Sequence, residues 1–208
     1  MGDRRAQIVD AAAVLIARIG FQQTSVEDVI HEAGLSGKGH FYHYFKSKEE
    51  LGYAVLQRQF ERFTERGLAI LREPMLEPLE RLDHFIDSLV ANQSVRGCQR
   101  GCFFGTLAAE LADAHEGFRQ QIGLVFTRWT GQLEALLWEA RPLLVEGVDI
   151  ARLARFIIAA LEGAMLMMRV HREIEVMEGI ASDLKRFIAG HVRGGSRVAG
   201  SGVSRVPS

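Results

Sequence analysis

At 208 residues, 48% of them hydrophobic and only four of them proline, the chain can build two small domains or one elongated helical body with a sizeable core. A formal net charge of −1 and a pI near 6.7 exclude a general electrostatic field for polyanions. Any contact with nucleic acid must then come from locally placed cations, helix N-termini and repetition by symmetry. No run of useful length alternates polar and apolar residues, so the fold class is all-α.

The chain begins Met1-Gly2-Asp3-Arg4-Arg5 and passes directly into an amphipathic helix with charges throughout, which is not a secretory signal; a cytoplasmic location is expected. Thr24, with Glu27 three residues on, has capping-box spacing, and Val26, Val29, Ile30 and Ala33 supply a helical stripe ended by Gly34. Ser36 offers the next N-cap, and Gly37 to Phe45 form the following helix. Ser47 and Glu50 repeat the box and open a longer helix predicted to reach about Arg72. Two short helices across a tight turn hold the second one proud of the surface, where it can enter a DNA major groove. At 100° per residue Phe41 and Phe45 fall together and face inward. His40, His43 and the side-chain-free Gly39 lie opposite, Lys38 and Tyr42 share one flank, and Tyr44 takes the other. That outer face can donate to phosphate oxygens and base edges. Lys48 sits in the first turn of the next helix, where a cation opposes the macrodipole and a phosphate contact explains it economically. The bland alternative is a surface helix with solvated Tyr and His. Residues 1 to 50 also carry only Arg4, Arg5, Arg18, Lys38, Lys46 and Lys48 against seven acids, which counts against nucleic acid.

Pro74 and Pro78 break the chain, and Leu79, Leu82, Phe85, Ile86 and Leu89 mark the next helix. Residues 93 to 101 read as a polar, Gly-punctuated loop. Helices follow from Cys102 to about Ala112, from about Glu116 to Ala140, from Asp149 to about His171 and from about Val176 to Val192. From Arg193 a Gly/Ser-rich tail is expected to be disordered. The apolar region Ile150 to Met168 is broken by Arg152, Arg155 and Glu162 and is not a membrane span. Within it Ala159, Ala160, Gly163 and Ala164 lie among Ile157, Ile158, Leu161, Met165 and Met168, more apolar faces than one monomer core needs. A second copy packing there is expected; the alternative is the central helix of a monomeric bundle.

Residues 1–56 resemble the tetracycline-repressor (TetR) family of bacterial transcription regulators. The resemblance rests on Ile8, Ala12, Leu15 and Ile19 followed by Gly20-Phe21, on Thr24-Ser25-Val26, and on Ala33-Gly34-Leu35 at the turn. Phe41-Tyr42-His43-Tyr44-Phe45, Ser47-Lys48-Glu49-Glu50-Leu51 and Ala54-Val55-Leu56 complete it. It implies a helix-turn-helix head over 1–50, an effector-binding and dimerisation domain over 51–192, and about nine helices before the tail of 193–208. It further implies a homodimer, joined through its last two helices, that binds a palindromic operator of double-stranded DNA. Thr24 or Ser25 would touch phosphate, Tyr42 and Lys48 would clamp the backbone, and Lys38, Gly39, His40, His43 and Tyr44 would face the groove. Leu-Ser-Gly-Lys-Gly-His between Gly34 and Phe41 is one residue longer than the family's usual spacing, which leaves the register of Lys38 open.

For the effector, Phe85, Phe103, Phe104, Phe126, Trp129, Met165 and Met168 can line a cavity for a small apolar or amphipathic ligand, though the same list describes an ordinary core. Cys98 and Cys102 lie beside Arg96 and Arg100, with Cys102 near a helix N-terminus; both features lower a thiol pKa and suit an electrophile or oxidant sensor. The stretch GCFFGTLAAEL is similar to the corresponding helix of N-ethylmaleimide-responsive members of the family, in which a Cys senses. The alternative is a small buried hydrophobe. With only His84 or His115 nearby the set is poor for a metal, and no metal or cofactor is expected. An enzyme using Cys102 lacks any Cys/His or Ser/His/Asp spacing, and a head that binds protein is the other rival.

Overall fold

The structure, a computed structural model, describes residues 3–194, so the expected tail falls, beyond Gly194, outside the described residues. Among those residues the regular structure is helical, save one antiparallel bridge between Leu144 and Val192. Helix α1 (Arg4–Ile19) is capped by Asp3, whose carboxylate accepts from the Arg5 N–H, and it stops at Gly20 with φ 88. An L side chain rarely adopts that backbone, which fixes glycine there. Helices α2 (Val26–Glu32), α3 (Lys38–Tyr44) and α4 (Lys48–Arg62) complete the head with α1.

The long helix expected from Ser47 to Arg72 does not run unbroken. Regular α geometry ends at Arg62, and the chain continues as a π turn over Phe63–Gly67 and a 3-10 segment over Leu68–Arg72. The ring of Phe63 lies over Gly67, where an added Cβ would stand 2.8 Å from it. Glycine is a weak helix former, and the change of pitch lets both Leu68 and Leu71 bury.

Helix α5 (Pro78–Val95) starts with a Glu77/Glu80 capping box and Pro78 in its first turn. It runs through Gln93, so the predicted polar loop is shorter than its 93–101 span. Helices α6 (Phe103–Leu111), α7 (Glu116–Glu139), α8 (Ile150–His171) and α9 (Ile174–Ala189) follow. The last begins before Val176 and ends before Val192, which instead makes the bridge to Leu144.

The buried residues form two clusters. One joins α1 through α4 to Phe104, Leu107 and Leu111 of α6 and to Phe118, Ile122 and Val125 of α7. The other joins α5, the later part of α7, α8 and α9 with Leu68 and Leu71. Phe63, Cys102 and Phe126 pack against both. The head is therefore seated on α6 and the start of α7. Helices α8 and α9, separated by Arg172 and Glu173, pack on each other as an antiparallel pair. Their outer side exposes Phe156, Leu166, Met167, Val170 and Phe187. No described helix is long and apolar enough to cross a membrane.

Candidate nucleic-acid interface

The cap of α2 is Ser25, not Thr24. Its hydroxyl takes the Asp28 N–H at 3.0 Å, while the Asp28 carboxylate accepts from the Ser25 N–H at 2.9 Å. The sequence holds two overlapping boxes, Thr24 with Glu27 and Ser25 with Asp28, and the second forms. Thr24 is 2% exposed, and its hydroxyl donates to the Gly20 carbonyl at 2.7 Å. It is spent on closing the turn after α1, which leaves Ser25 as the accessible hydroxyl at this helix start.

The turn between α2 and α3 passes through Gly34 at φ 59, and Arg4 of α1 donates to the Gly34 carbonyl at 2.7 Å. Ser36 is not the cap of α3; Gly37 is, without a side-chain bond, and the Ser36 hydroxyl lies 3.4 Å from His40 Nδ1. Phe41 and Phe45 are fully buried, as their spacing requires. Their burial turns Lys38, Gly39, Tyr42 and His43 outward, with His40 and Tyr44 half-buried beside them. The His43 and Tyr44 rings meet edge to face at 4.8 Å, and His40 lies 5.9 Å from Tyr44. A Cβ on Gly39 would meet nothing within 4 Å, so packing inside the chain does not demand glycine there. No acid occurs from Gly37 to Lys48. Glu27 pairs with Lys38 across the turn and is held below the usual carboxylate range by that hydrogen bond, and the Glu50 carboxylate accepts from the Lys46 N–H at 2.8 Å.

Lys48 has a structural partner that its sequence position did not disclose. Its ammonium donates to the Gln22 carbonyl at 3.0 Å and stands 4.7 Å over the Phe21 ring. That packing accounts for a cation in the first turn of α4 without a phosphate. Ser47 caps the helix by accepting from the Glu50 N–H at 3.1 Å, as expected. Two further cations border the head and were not singled out from the sequence: Arg5, 4.8 Å over the Phe45 ring, and exposed Lys46 at the end of α3. The paired Arg4-Arg5 at the start of an amphipathic helix was the available signal.

The other feature missed is Glu110, near the end of α6. Its carboxylate accepts from the Phe21 N–H at 2.9 Å and the Gln22 N–H at 2.6 Å. The link from α6 to the segment that opens α2 therefore passes through one acid. Asp10 ties α1 to α4 through Arg58 at 3.0 Å and Arg62 at 2.8 Å. The Arg58 hydrogen bond holds the Asp10 carboxyl below its ordinary value.

The residues expected to line an effector cavity mostly pack as core. Phe85, Phe104, Trp129, Met165 and Met168 are buried, and Trp129 is enclosed by Phe63, Phe85 and Phe126. Of the seven, Phe103 alone borders the cleft of about 230 Å3 between head and body. The expected low pKa of the Cys102 thiol is also corrected. Cys102 does cap α6, its sulfur accepting from the Gly105 N–H at 3.5 Å. Burial and the neighbouring Glu162 nevertheless push its thiol far above the ordinary value. Arg96 and Arg100 line the cleft. Cys98 is buried, at a left-handed φ of 56.

A helical head that presents an acid-free helix, seated on a helical body with an apolar outer side, defines a two-domain helix-turn-helix regulator. Residues 8–55 match the model of the bacterial regulatory proteins of the tetR family. Residues 78–183 match that of the LmrA/YxaF-like transcriptional regulator C-terminal domain. The repressor DhaR of Mycobacterium sp. (strain GP1) is 26% identical over 84% of this chain and 86% of its own. The repressor NemR of Escherichia coli K12 is 25% identical over 90% and 94%. The reduced form of E. coli NemR superposes with a TM-score of 0.80 at 23% identity, covering 94% of this chain and 100% of that one. A TetR regulator from Chloroflexus aurantiacus gives 0.80 at 25%, covering 91% and 96%. The chain belongs to the TetR family of transcriptional regulators. Membership implies operator DNA as partner and dimerisation as the mode of assembly, and places the chain among regulators rather than enzymes.

Proposed function

We propose that the chain is a repressor that binds a palindromic operator as a homodimer and lets go when a small molecule occupies its body. The observation that carries this reading is the exposed, acid-free side of α3, anchored from beneath by Phe41 and Phe45. Tyr42 and Ser25 are assigned to phosphates, and Lys38, His40, His43 and Tyr44 to the groove, with Gly39 allowing close approach. Lys38 would exchange Glu27 for DNA at little cost, since an exposed ion pair contributes little. Lys48 holds the Gln22 carbonyl, and its remaining N–H groups can still reach a phosphate. Exposed Arg5 and Lys46 would add backbone contacts whose strength falls with salt.

Two copies would join through the exposed apolar side of α8 and α9. Gly163 and Gly179 leave open space there, where a Cβ would meet nothing within 4 Å. Release would run through α6, because Glu110 grips Phe21 and Gln22 and any shift of α6 pulls on the entry to α2. A coupling of about 1–3 kcal/mol would change operator affinity roughly 5- to 150-fold. With Cys102 half-buried and its thiol pushed up by desolvation and by Glu162, the effector is read as binding without covalent capture.

The test is binding to DNA upstream of the chain's own gene, followed by fluorescence anisotropy across a salt series. Tyr42→Ala should weaken operator and unrelated DNA together by about 1–2 kcal/mol, roughly 5- to 30-fold. Replacing His43 with Ala should change the preferred sequence instead. Unchanged affinity in both variants would remove α3 as the reading element.

A further inference from the structure

The cleft between head and body has a chemistry that the repressor reading does not use. Its walls come from both sides: Ala13, Val14 and Ala17 of α1 face Phe103 and Leu107 of α6. Its volume of about 230 Å3 far exceeds the roughly 10–15 Å3 one water needs. Four arginines line it, Arg62, Arg96, Arg100 and Arg169, against one acid, Asp10. Asp10 is already taken by Arg58 and Arg62. Among the described residues no carboxylate lies within ion-pair distance of Arg96, Arg100 or Arg169. The residues outside the description, 1–2 and 195–208, include no Asp or Glu.

The loop that carries two of these arginines is held in an unusual shape. Gly97 and Cys98 both have left-handed backbone, at φ 64 and 56. For Cys98 that conformation is disfavoured, and it is kept by its N–H on the Gln93 carbonyl at 3.2 Å and by Arg172 on its own carbonyl at 3.4 Å. Arg169 is steadied by the Thr106 hydroxyl at 3.2 Å. Guanidinium groups lacking carboxylates, facing an apolar wall, suit a ligand with a charged oxygen group and a hydrocarbon body.

We infer that this cleft is a binding site for a small amphipathic carboxylate, with its head on Arg96, Arg100 and Arg169 and its apolar part between α1 and α6. Occupancy separates α1 from α6 and disturbs the Glu110 grip on Phe21 and Gln22. Binding stands on the cleft alone, while its effect on DNA rests on the operator reading above. Val14, exposed on the α1 wall, offers a position from which the space can be filled without touching an arginine.

Isothermal titration of the full chain without DNA decides the site. Octanoate should bind once per chain, with octan-1-ol, octylammonium and inorganic phosphate each weaker by about tenfold or more. Arg96→Ala with Arg100→Ala should weaken octanoate by a similar factor, as should Val14→Phe, with circular dichroism unchanged in each. No heat with octanoate, equal binding of octanol or phosphate, or unchanged affinity in both variants overturns the site. Octanoate should also lower operator affinity of the wild-type dimer. Binding without that loss overturns the coupling and leaves the site standing. Absence of operator binding at the outset counts against the repressor reading alone, because the titration needs no DNA.

Discussion

Glu162 shows how a single side chain can be set against its surroundings. It rises from α8 under Gly105, where an added Cβ would collide with its carboxylate, and its Oε1 is buried without a hydrogen-bond partner. Burial raises its pKa, so the folded chain holds this proton more tightly than the unfolded chain does. A raised carboxyl contributes full stability below the unfolded value, and that contribution is lost as pH climbs from there through the folded value. The melting temperature should therefore fall over this interval, and Glu162→Gln should flatten that part of the profile. Identical pH profiles for the two proteins would deny Glu162 this role. Thr24 and Ser25 mark the limit of reading residues from a string. Both offered a hydroxyl three positions before an acid, and only the depth at which the chain leaves Gly20 separates them. Lys48 is the same lesson, since the carbonyl it serves belongs to a residue 26 positions away.

At the scale of elements, what local periodicity controls was legible. The inward placement of Phe41 and Phe45 followed from their four-residue separation, and the starts of α6 and α8 from Cys102 and Asp149. What depends on tertiary contact was not. The π turn after Arg62 begins at Phe63, whose ring packs edge to face on Phe104 and Trp129, contacts that no amphipathic pattern reports. Nor does pattern pair Glu110 with Gln22, 88 residues away. Of the seven aromatic and Met residues expected around a cavity, Phe85, Phe104, Trp129, Met165 and Met168 fill the interior instead, because composition does not distinguish a lined void from a packed one. Glu110→Gln supplies the prediction here. It removes the charge that receives two backbone N–H groups, at a cost of about 1–3 kcal/mol to the seat of the head. Operator affinity should fall while helicity and dimerisation persist. Full affinity in this variant would show that α6 does not steady the head.

At the scale of the whole molecule, two cores share a boundary at Phe63, Cys102 and Phe126, so the head cannot move on the body without disturbing α6 and α7. The α8 and α9 side exposes Phe156, Met167, Val170 and Phe187 together with Leu166, which is 62% exposed. Leu166→Glu should shift the protein from dimer to monomer in sedimentation velocity with its circular dichroism intact. A persistent dimer would place the seam elsewhere. A near-neutral chain can hold DNA in this account because two heads act together and each presents its cations locally. Hydroxyl-radical footprinting on the upstream DNA tests that claim most directly. Two symmetric protected patches about one helical turn apart are expected, both lost when Tyr42 and His43 are replaced by Ala. One patch alone, or a footprint that survives those replacements, would contradict it.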